Sequence, residues 1–487
     1  MKGVWMIIPM IIYLGIMLYI AYIANRKSAD TEGNGFINEY FIGGRSLGGF
    51  VLAMTLIATY TSARSFIGGP GVAYEKGLGW VLLAMIQVPT AFLTLGVLGK
   101  KFAIVSRRID AVTISDFIRA RYKNETVVII TSLALVIFFI ASMIAQFVGG
   151  ARLFQSITGY SYEIGLIIFG VTVIVYTTIG GFKAVAITDA IQGVMMLIAT
   201  VLLFVAVVMK GGGIENIIDT IKVTNPAMLT PFGADQSITQ PFILSYWILV
   251  GFAVLGLPQT SVRCMGFKDS KSLHNAMIIG TFVVGFLLLG MHLVGFLGAG
   301  IMPGIEVGDL AIPTITIAIL PPVLAGIFIA GPLAAIMSTV DSMLILASAT
   351  IIKDLIENSY IKVNIDNKGI KRISLILTGI IGIIVFMLAL NPPDLLVWIN
   401  LFAFGGLEAA FLWPTILGLY WRKANSSGAL WSSIIGVLAY FAISIFKISP
   451  MGINPIVPTI IIALLAFLVG NYFGNENDEN TIKLFFE

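Results

Sequence analysis

The 487-residue chain is 58% hydrophobic and 11% charged, whereas a soluble globular chain carries about a quarter charged residues. Its net charge of +4 is too small to point to nucleic acid as a partner. Cys264 is the only cysteine, which excludes an intramolecular disulfide and a thiolate metal cluster.

A spanning helix needs roughly 20 apolar residues, and long continuous apolar runs recur from end to end, unlike the short alternating segments of a barrel. The first run, 4–25, is too long for a cleavable signal and carries its basic flank, Arg26 and Lys27, after it rather than before. It reads as a retained span. Twelve further spans follow near 46–72, 77–99, 126–154, 161–180, 187–209, 239–264, 273–301, 320–353, 371–391, 394–420, 428–447 and 455–473. Among the connections, 103–123 alternates apolar residues such as Phe117 and Ile118 with basic ones, as an interfacial amphipathic helix would. Residues 211–238 form the longest loop, with a glycine run at Gly211–Gly213, and the polar, acidic tail from Asn475 reads as disordered.

The connections between spans alternate sides, and the cations follow suit. Of the 29 Lys and Arg, 22 fall on one side, including Lys100, Arg121, Lys183, Arg263 and Arg422. Five (Lys2, Lys76, Lys210, Lys222 and Lys447) fall on the other, and Arg64 and Arg152 lie in or beside spans. The excess of basic residues marks the cytoplasmic face. The expected topology is therefore N-terminus outside and C-terminus in the cytoplasm, across the cell (inner) membrane.

Two spans are interrupted. The second carries Gly68-Gly69-Pro70-Gly71 after the polar run Thr59 to Ser65, and the seventh carries Gly256-Leu257-Pro258-Gln259-Thr260-Ser261. Many secondary transporters consist of inverted repeats whose leading helices break near the bilayer midplane. Because the two break-bearing spans stand five places apart in the order, the chain divides into a leading helix and loop (1–45), a first half (46–210) and an outer loop (211–238). A second half (239–421), two trailing helices (422–474) and a tail (475–487) complete it. Ordinary tolerance of Gly and Pro in spanning helices is the competing explanation for either break alone. A channel would line a pore repeatedly instead of concentrating polar residues at two breaks. An enzyme would need an acid–base or metal constellation that two histidines, one cysteine and scattered aspartates do not supply.

Tyr176-Thr177-Thr178-Ile179-Gly180-Gly181-Phe182-Lys183-Ala184, followed by Thr188-Asp189 and Gln192, resembles one signature of the sodium:solute symporter family. Gly418-Leu419-Tyr420-Trp421-Arg422-Lys423, followed by Gly428-Ala429 and Gly436, resembles a second, and Ala335-Ile336-Met337-Ser338-Thr339 resembles the family's sodium-site helix. Within that family, the run from Asn38 through Gly43-Gly44-Arg45-Ser46 to Gly71 is most similar to the pantothenate carriers, as are 79–87 and 404–409. The resemblance implies an all-α, leucine-transporter-like fold of about 13 helices with one leading and two trailing helices. It implies a sodium-coupled symporter of pantothenate that needs no cofactor. Its runner-up is a symporter of another small carboxylate or an amino acid such as proline.

The resemblance also implies site residues. Sodium would be held by backbone carbonyls of Ala58, Thr61 and Ala335 and by the hydroxyls of Ser338 and Thr339. Ala335, Ser338 and Thr339 share one helix face at i, i+3, i+4, and simple back-bonding of Ser and Thr to their own helix is the alternative. Asp189 and Asp341 are candidates for a second cation site, although Ala335 lacks the hydroxyl that some members place there. Interface solvation or a structural ion pair would also explain these two carboxylates. Solute would meet Tyr60 and Ser62, the amides Gln87, Gln146 and Gln259, and Arg64. A guanidinium at membrane depth needs an anionic or carbonyl partner and can grip a carboxylate by two parallel bonds. Its alternative partner is a helix end or an acidic neighbour. Val250 and Val254 stand where proline-carrying relatives place aromatics. His274 and His292 read as structural.

Overall fold

Long apolar runs become long helices, because a backbone in lipid must satisfy its own polar groups. A computed structural model describes residues 2–28, 48–357, 367–392, 396–448 and 452–487. Among these there is no β-strand. Nine helices are long and apolar enough to cross a membrane, and Gln240–Gly256 with Pro258–Met265, bent by 44°, makes a tenth. Shorter apolar helices cover Trp5–Ile20, Gly49–Ala58 and Tyr162–Val175, where further spans are expected. The Asn38 to Ser46 run lies outside the described residues, as do the side chains of most of Tyr176 to Ala184.

The centre of the molecule is Pro322–Ala349, a helix buried almost all round from Ala325 onward. It packs against Tyr162–Lys210, the leading helix Lys2–Ser28 and Glu125–Thr158. Small residues let it do so. A Cβ added to Gly331 would meet Ala199 Cβ at 2.3 Å, and one on Gly326 would meet the Met6 carbonyl at 2.4 Å. Such close backbone approach is how helices associate in lipid, where apolar side chains gain nothing by leaving the solvent.

Four sequence expectations change. The loop expected between spans at 161–180 and 187–209 is helical, so both are legs of one 49-residue helix, Tyr162–Lys210. The contacts require that helix to bend. Thr177 bonds Asp341 and Ala199 sits against Gly331; on straight helices the first two of these positions on the long helix would lie about 33 Å apart, but their partners only about 15 Å. The bend falls between Thr177 and Ala199, a stretch that contains the Gly180-Gly181 pair. Second, Gly308–Ile319 is an apolar helix that was not expected. It seats against the broken second span, where a Cβ on Gly71 would meet the Gly308 carbonyl oxygen at 2.3 Å.

The third change concerns the 103–123 segment. It divides into Lys100–Arg108, which extends the third span, and Ile114–Tyr122, opened by a capping box of Thr113 and Asp116. Phe117 and Arg121 are buried instead of facing a headgroup layer. What covers them is the fourth change: the tail expected to be disordered forms a helix, Glu479–Phe486. Phe485 packs edge-on to Phe117 at 5.7 Å, and the Phe485 and Phe486 rings both lie 5.6 Å from the Arg121 guanidinium. Two aromatic residues at the end of a polar sequence thus find cations to cover. The outer loop is ordered as well, with a helix at Ile214–Thr224. Gly77 turns the chain between the second and third spans at φ +84°, beneath the Met228 carbonyl, where no side chain would fit.

Candidate functional site

The second span stops being an ordinary helix at its polar run. Gly49–Tyr60 ends at Thr61, whose φ and ψ of −93° and 130° are extended. The chain resumes in a wide turn, Arg64–Gly68, in which the Gly69 N–H reaches back to the Arg64 carbonyl. Such wide turns concentrate at functional sites. An interrupted helix leaves orphan carbonyls and N–H groups that lipid cannot satisfy, and here other helices meet them. Ser338 Oγ donates to the Ala58 carbonyl at 3.1 Å and lies 3.0 Å from its own Ala335 carbonyl. Thr339 Oγ1 donates to the Thr61 carbonyl at 3.2 Å and lies 2.9 Å from the Ala335 carbonyl. Gln146 Oε1 accepts the Ala63 N–H at 2.9 Å. Five oxygens, from Ala58, Thr61, Ala335, Ser338 and Thr339, therefore converge where two helices cross, and a hard cation prefers such ligands.

Just beyond the break, Arg64 is buried with its Nη2 donating to Gln87 Oε1 at 2.7 Å. Its guanidinium carbon stands 5.0 Å from the Phe404 ring centroid. Neither Nε nor Nη1 has a hydrogen-bond partner among the described residues. A cavity of about 10 Å³ adjoins it, lined by Tyr60, Gln87, Thr90, Val250, Val254 and Phe404 among others. That is room for about one water molecule, so the cavity does not admit a solute in this conformation. The unpartnered guanidinium nitrogens suit an anionic group on a small solute, and Val250 and Val254 an apolar part of it.

A third cluster holds the buried charges. Asp189 accepts from Thr55 Oγ1 and lies 3.4 Å from Arg263 Nη2, which also donates to Ser342 Oγ at 2.7 Å. Thr177 Oγ1 donates to Asp341 Oδ1 at 2.5 Å. Arg263 and both aspartates are almost wholly shielded from solvent. In low dielectric such charges persist only as pairs, and the Asp189–Arg263 pair ties the long bent helix to the seventh span.

The profile of the Sodium:solute symporter family matches residues 40–436. The chain belongs to the sodium:solute symporter family. As a member it is a sodium-coupled carrier with Na⁺ as coupling ion, a multi-pass membrane protein and not an enzyme. It is 49% identical over 476 residues to the sodium/pantothenate symporter of Escherichia coli (strain K12), covering 98% of each chain. It is likewise 49% identical over 475 residues to the one of Haemophilus influenzae, again with 98% of each covered. The osmoregulated proline transporter of Bacillus subtilis is 31% identical over 494 residues, 99% of this chain and 98% of that one. Among solved structures, a Na⁺-coupled sialic acid symporter in a substrate-bound, outward-open state superposes with TM-score 0.78 at 19% identity, over 98% of this chain and 99% of that one. Mhp1, a nucleobase–cation symporter, superposes with TM-score 0.55 at 15% identity, covering 91% and 97%. These likenesses give the symporter its leucine-transporter-like fold.

The family fold brings together all five oxygens read from the sequence. It also gathers Tyr60, Arg64 and Gln87 around one cavity. Ser62 instead turns inward, its Oγ accepting the Arg64 N–H at 3.2 Å, and Gln146 serves the break as described. Gln259 is buried beside the second break, and neither of its amide atoms has a hydrogen-bond partner among the described residues. His292 is buried with Nδ1 2.7 Å from the Leu288 carbonyl of its own helix. Two residues escaped sequence reasoning. Arg263 was counted among the loop cations, yet it lies inside Pro258–Met265. It is buried five residues past the start of a half-helix, and that spacing was the signal. Glu408, buried mid-way along Leu396–Tyr420, is a lone acid in an apolar run. Its depth alone marks it.

Proposed function

We propose that this symporter imports pantothenate together with sodium by alternating access. The observation that carries the proposal is the adjacency, across the single break at Thr61, of a five-oxygen cluster and a buried guanidinium with unused donors. Sodium would sit among Ala58, Thr61, Ala335, Ser338 and Thr339. The solute's carboxylate would meet Arg64, with Gln87 and Tyr60 available to its amide and hydroxyls. The halves 46–210 and 239–421 would move against each other about this site, with the N-terminus outside and the C-terminus cytoplasmic. Near-identity of length and 49% identity with two sodium/pantothenate symporters support this solute. The Asp189–Arg263 pair supports a structural rather than an ion-binding role for Asp189.

Coupling can be bounded. One sodium entering down about 100 mV contributes roughly 2.3 kcal/mol, and a tenfold gradient adds about 1.4. If one sodium carries a monoanion, the electrical part cancels and accumulation is limited to roughly tenfold. Two sodium ions with the same solute would supply about 5.1 kcal/mol, which permits several-thousandfold accumulation. The decisive experiment is uptake of labelled pantothenate into proteoliposomes with and without an inward sodium gradient. Uptake that is equally fast with choline at clamped pH overturns the mechanism. Stronger inhibition by unlabelled proline than by unlabelled pantothenate overturns the solute.

A further inference from the structure

Arg64 and Glu408 are two incomplete halves. Glu408 lies near the middle of Leu396–Tyr420, fully buried, and neither carboxylate oxygen has a hydrogen-bond partner among the described residues. Arg64 has two nitrogens in the same condition. The helix that carries Glu408 already touches Arg64 one turn earlier, through the Phe404 ring at 5.0 Å. Residues four apart on a helix are neighbours at about 5–6 Å, so the carboxylate hangs one turn from the present seat of the guanidinium. The two side chains are near enough to feel each other's charge. Around Glu408 the packing is aromatic: Tyr440 presses on Gly405 and Phe138 on Gly406. Tyr246 and His292 stand beside Arg64 and carry no negative charge to it at neutral pH.

A symporter recrosses the membrane empty after each delivery. While solute is bound, its carboxylate neutralises Arg64, and Glu408, buried without a cation, holds a proton that it gives up to water as solute leaves. Once solute has left, a buried guanidinium without an anion costs several kcal/mol, and that cost would fall on the return step. Among the described residues Glu408 is an acid within reach of this long, flexible side chain, on the helix face that already packs against it. We propose that Glu408 is the built-in counter-ion of Arg64. The guanidinium is held alternately by the solute's carboxylate and by Glu408, and the Arg64–Glu408 pair is the form in which the empty carrier returns. This rests on the reading that Arg64 receives the solute's carboxylate.

The test separates return from transport in proteoliposomes. Exchange of labelled for unlabelled pantothenate, with sodium on both sides, cycles only the loaded carrier, whereas net sodium-driven uptake needs the empty return. In E408Q, exchange should stay within about twofold of the parent while net uptake falls roughly tenfold or more, and E408D should restore net uptake. Equal loss of exchange and net uptake, or unchanged net uptake, overturns the counter-ion. Binding of labelled pantothenate to the purified variants then isolates the underlying reading. R64Q should bind roughly tenfold or more weakly, and E408Q at least as tightly as the parent. Normal binding by R64Q overturns the carboxylate assignment to Arg64; weak binding by R64Q with lost exchange in E408Q overturns the counter-ion alone.

Discussion

Replacing Thr339 by Val keeps the side-chain volume and removes one oxygen from the cluster at the break. Its magnitude follows from what the hydroxyl touches. Toward a bound cation, a lost polar ligand costs about 1.5–3 kcal/mol, as hydrogen bonds to charged groups do. The ion-free state loses something too, because Thr339 Oγ1 then donates to the Thr61 carbonyl at 3.2 Å, a neutral bond of about 0.5–1.5 kcal/mol. The difference, about 1–1.5 kcal/mol, corresponds to a roughly 5- to 13-fold rise in the sodium concentration for half-maximal uptake. Thr339→Ser retains the oxygen and should stay within about twofold of the parent. The assay is initial uptake of labelled pantothenate into proteoliposomes over a sodium series, with choline holding ionic strength constant. Unchanged half-saturating sodium at full maximal rate would refute the argument. The hydroxyl would then merely back-bond to Ala335, 2.9 Å away on its own helix.

Other expectations test the surrounding structure. Arg263→Ala leaves Asp189 buried and unpaired, a loss of about 3–5 kcal/mol; thermal unfolding followed by tryptophan fluorescence should show it, and adding Asp189→Asn should recover a large part. Strictly additive losses would dissolve the pair. Gly71→Ala forces a methyl against the Gly308 carbonyl and should cost about 1–3 kcal/mol, read in the same unfolding assay; full stability would mean that the Gly308–Ile319 helix is not seated there. The terminal helix should be acid-labile. The Lys123 ammonium and the Thr481 N–H hold the Asp478 carboxylate at about 2, below its ordinary 3.8. A depressed folded value stabilises above the unfolded one and is lost as pH falls from about 4 toward about 2. Protection from hydrogen exchange over 479–486, taken relative to the intrinsic rate at each pH, should therefore fall across that window, and protection that does not respond to acid there would remove Asp478 as the clamp.

Much of this molecule is one-dimensional and was legible as such. Apolar run length marked the spanning helices, because the bilayer imposes one thickness on each of them. The break after Gly256 was visible through Pro258, whereas the second span breaks at Thr61, inside its polar run, and Gly68-Gly69-Pro70-Gly71 continues as helix. The i, i+3, i+4 spacing of Ala335, Ser338 and Thr339 was equally plain. Local composition misled where a tertiary partner overrode it. The acidic tail folds because Arg121, Lys101 and Arg422 offer cations to Phe485 and Phe486. Similarly, the chain stays helical through Gly180-Gly181, where a loop was expected.

Sequence by itself therefore determined that the chain enters lipid, which two spans are interrupted, and which residues could offer oxygen to a cation. Only the tertiary structure decided which groups meet. Ser338 and Ala58 are 280 residues apart yet share a hydrogen bond. Arg263 changed from a loop cation to half of a buried pair, and Glu408 became a neighbour of Arg64. A bilayer acts on each helix separately and so leaves its mark in local composition, whereas a binding site is a property of helices packed side by side, which no single stretch of chain contains.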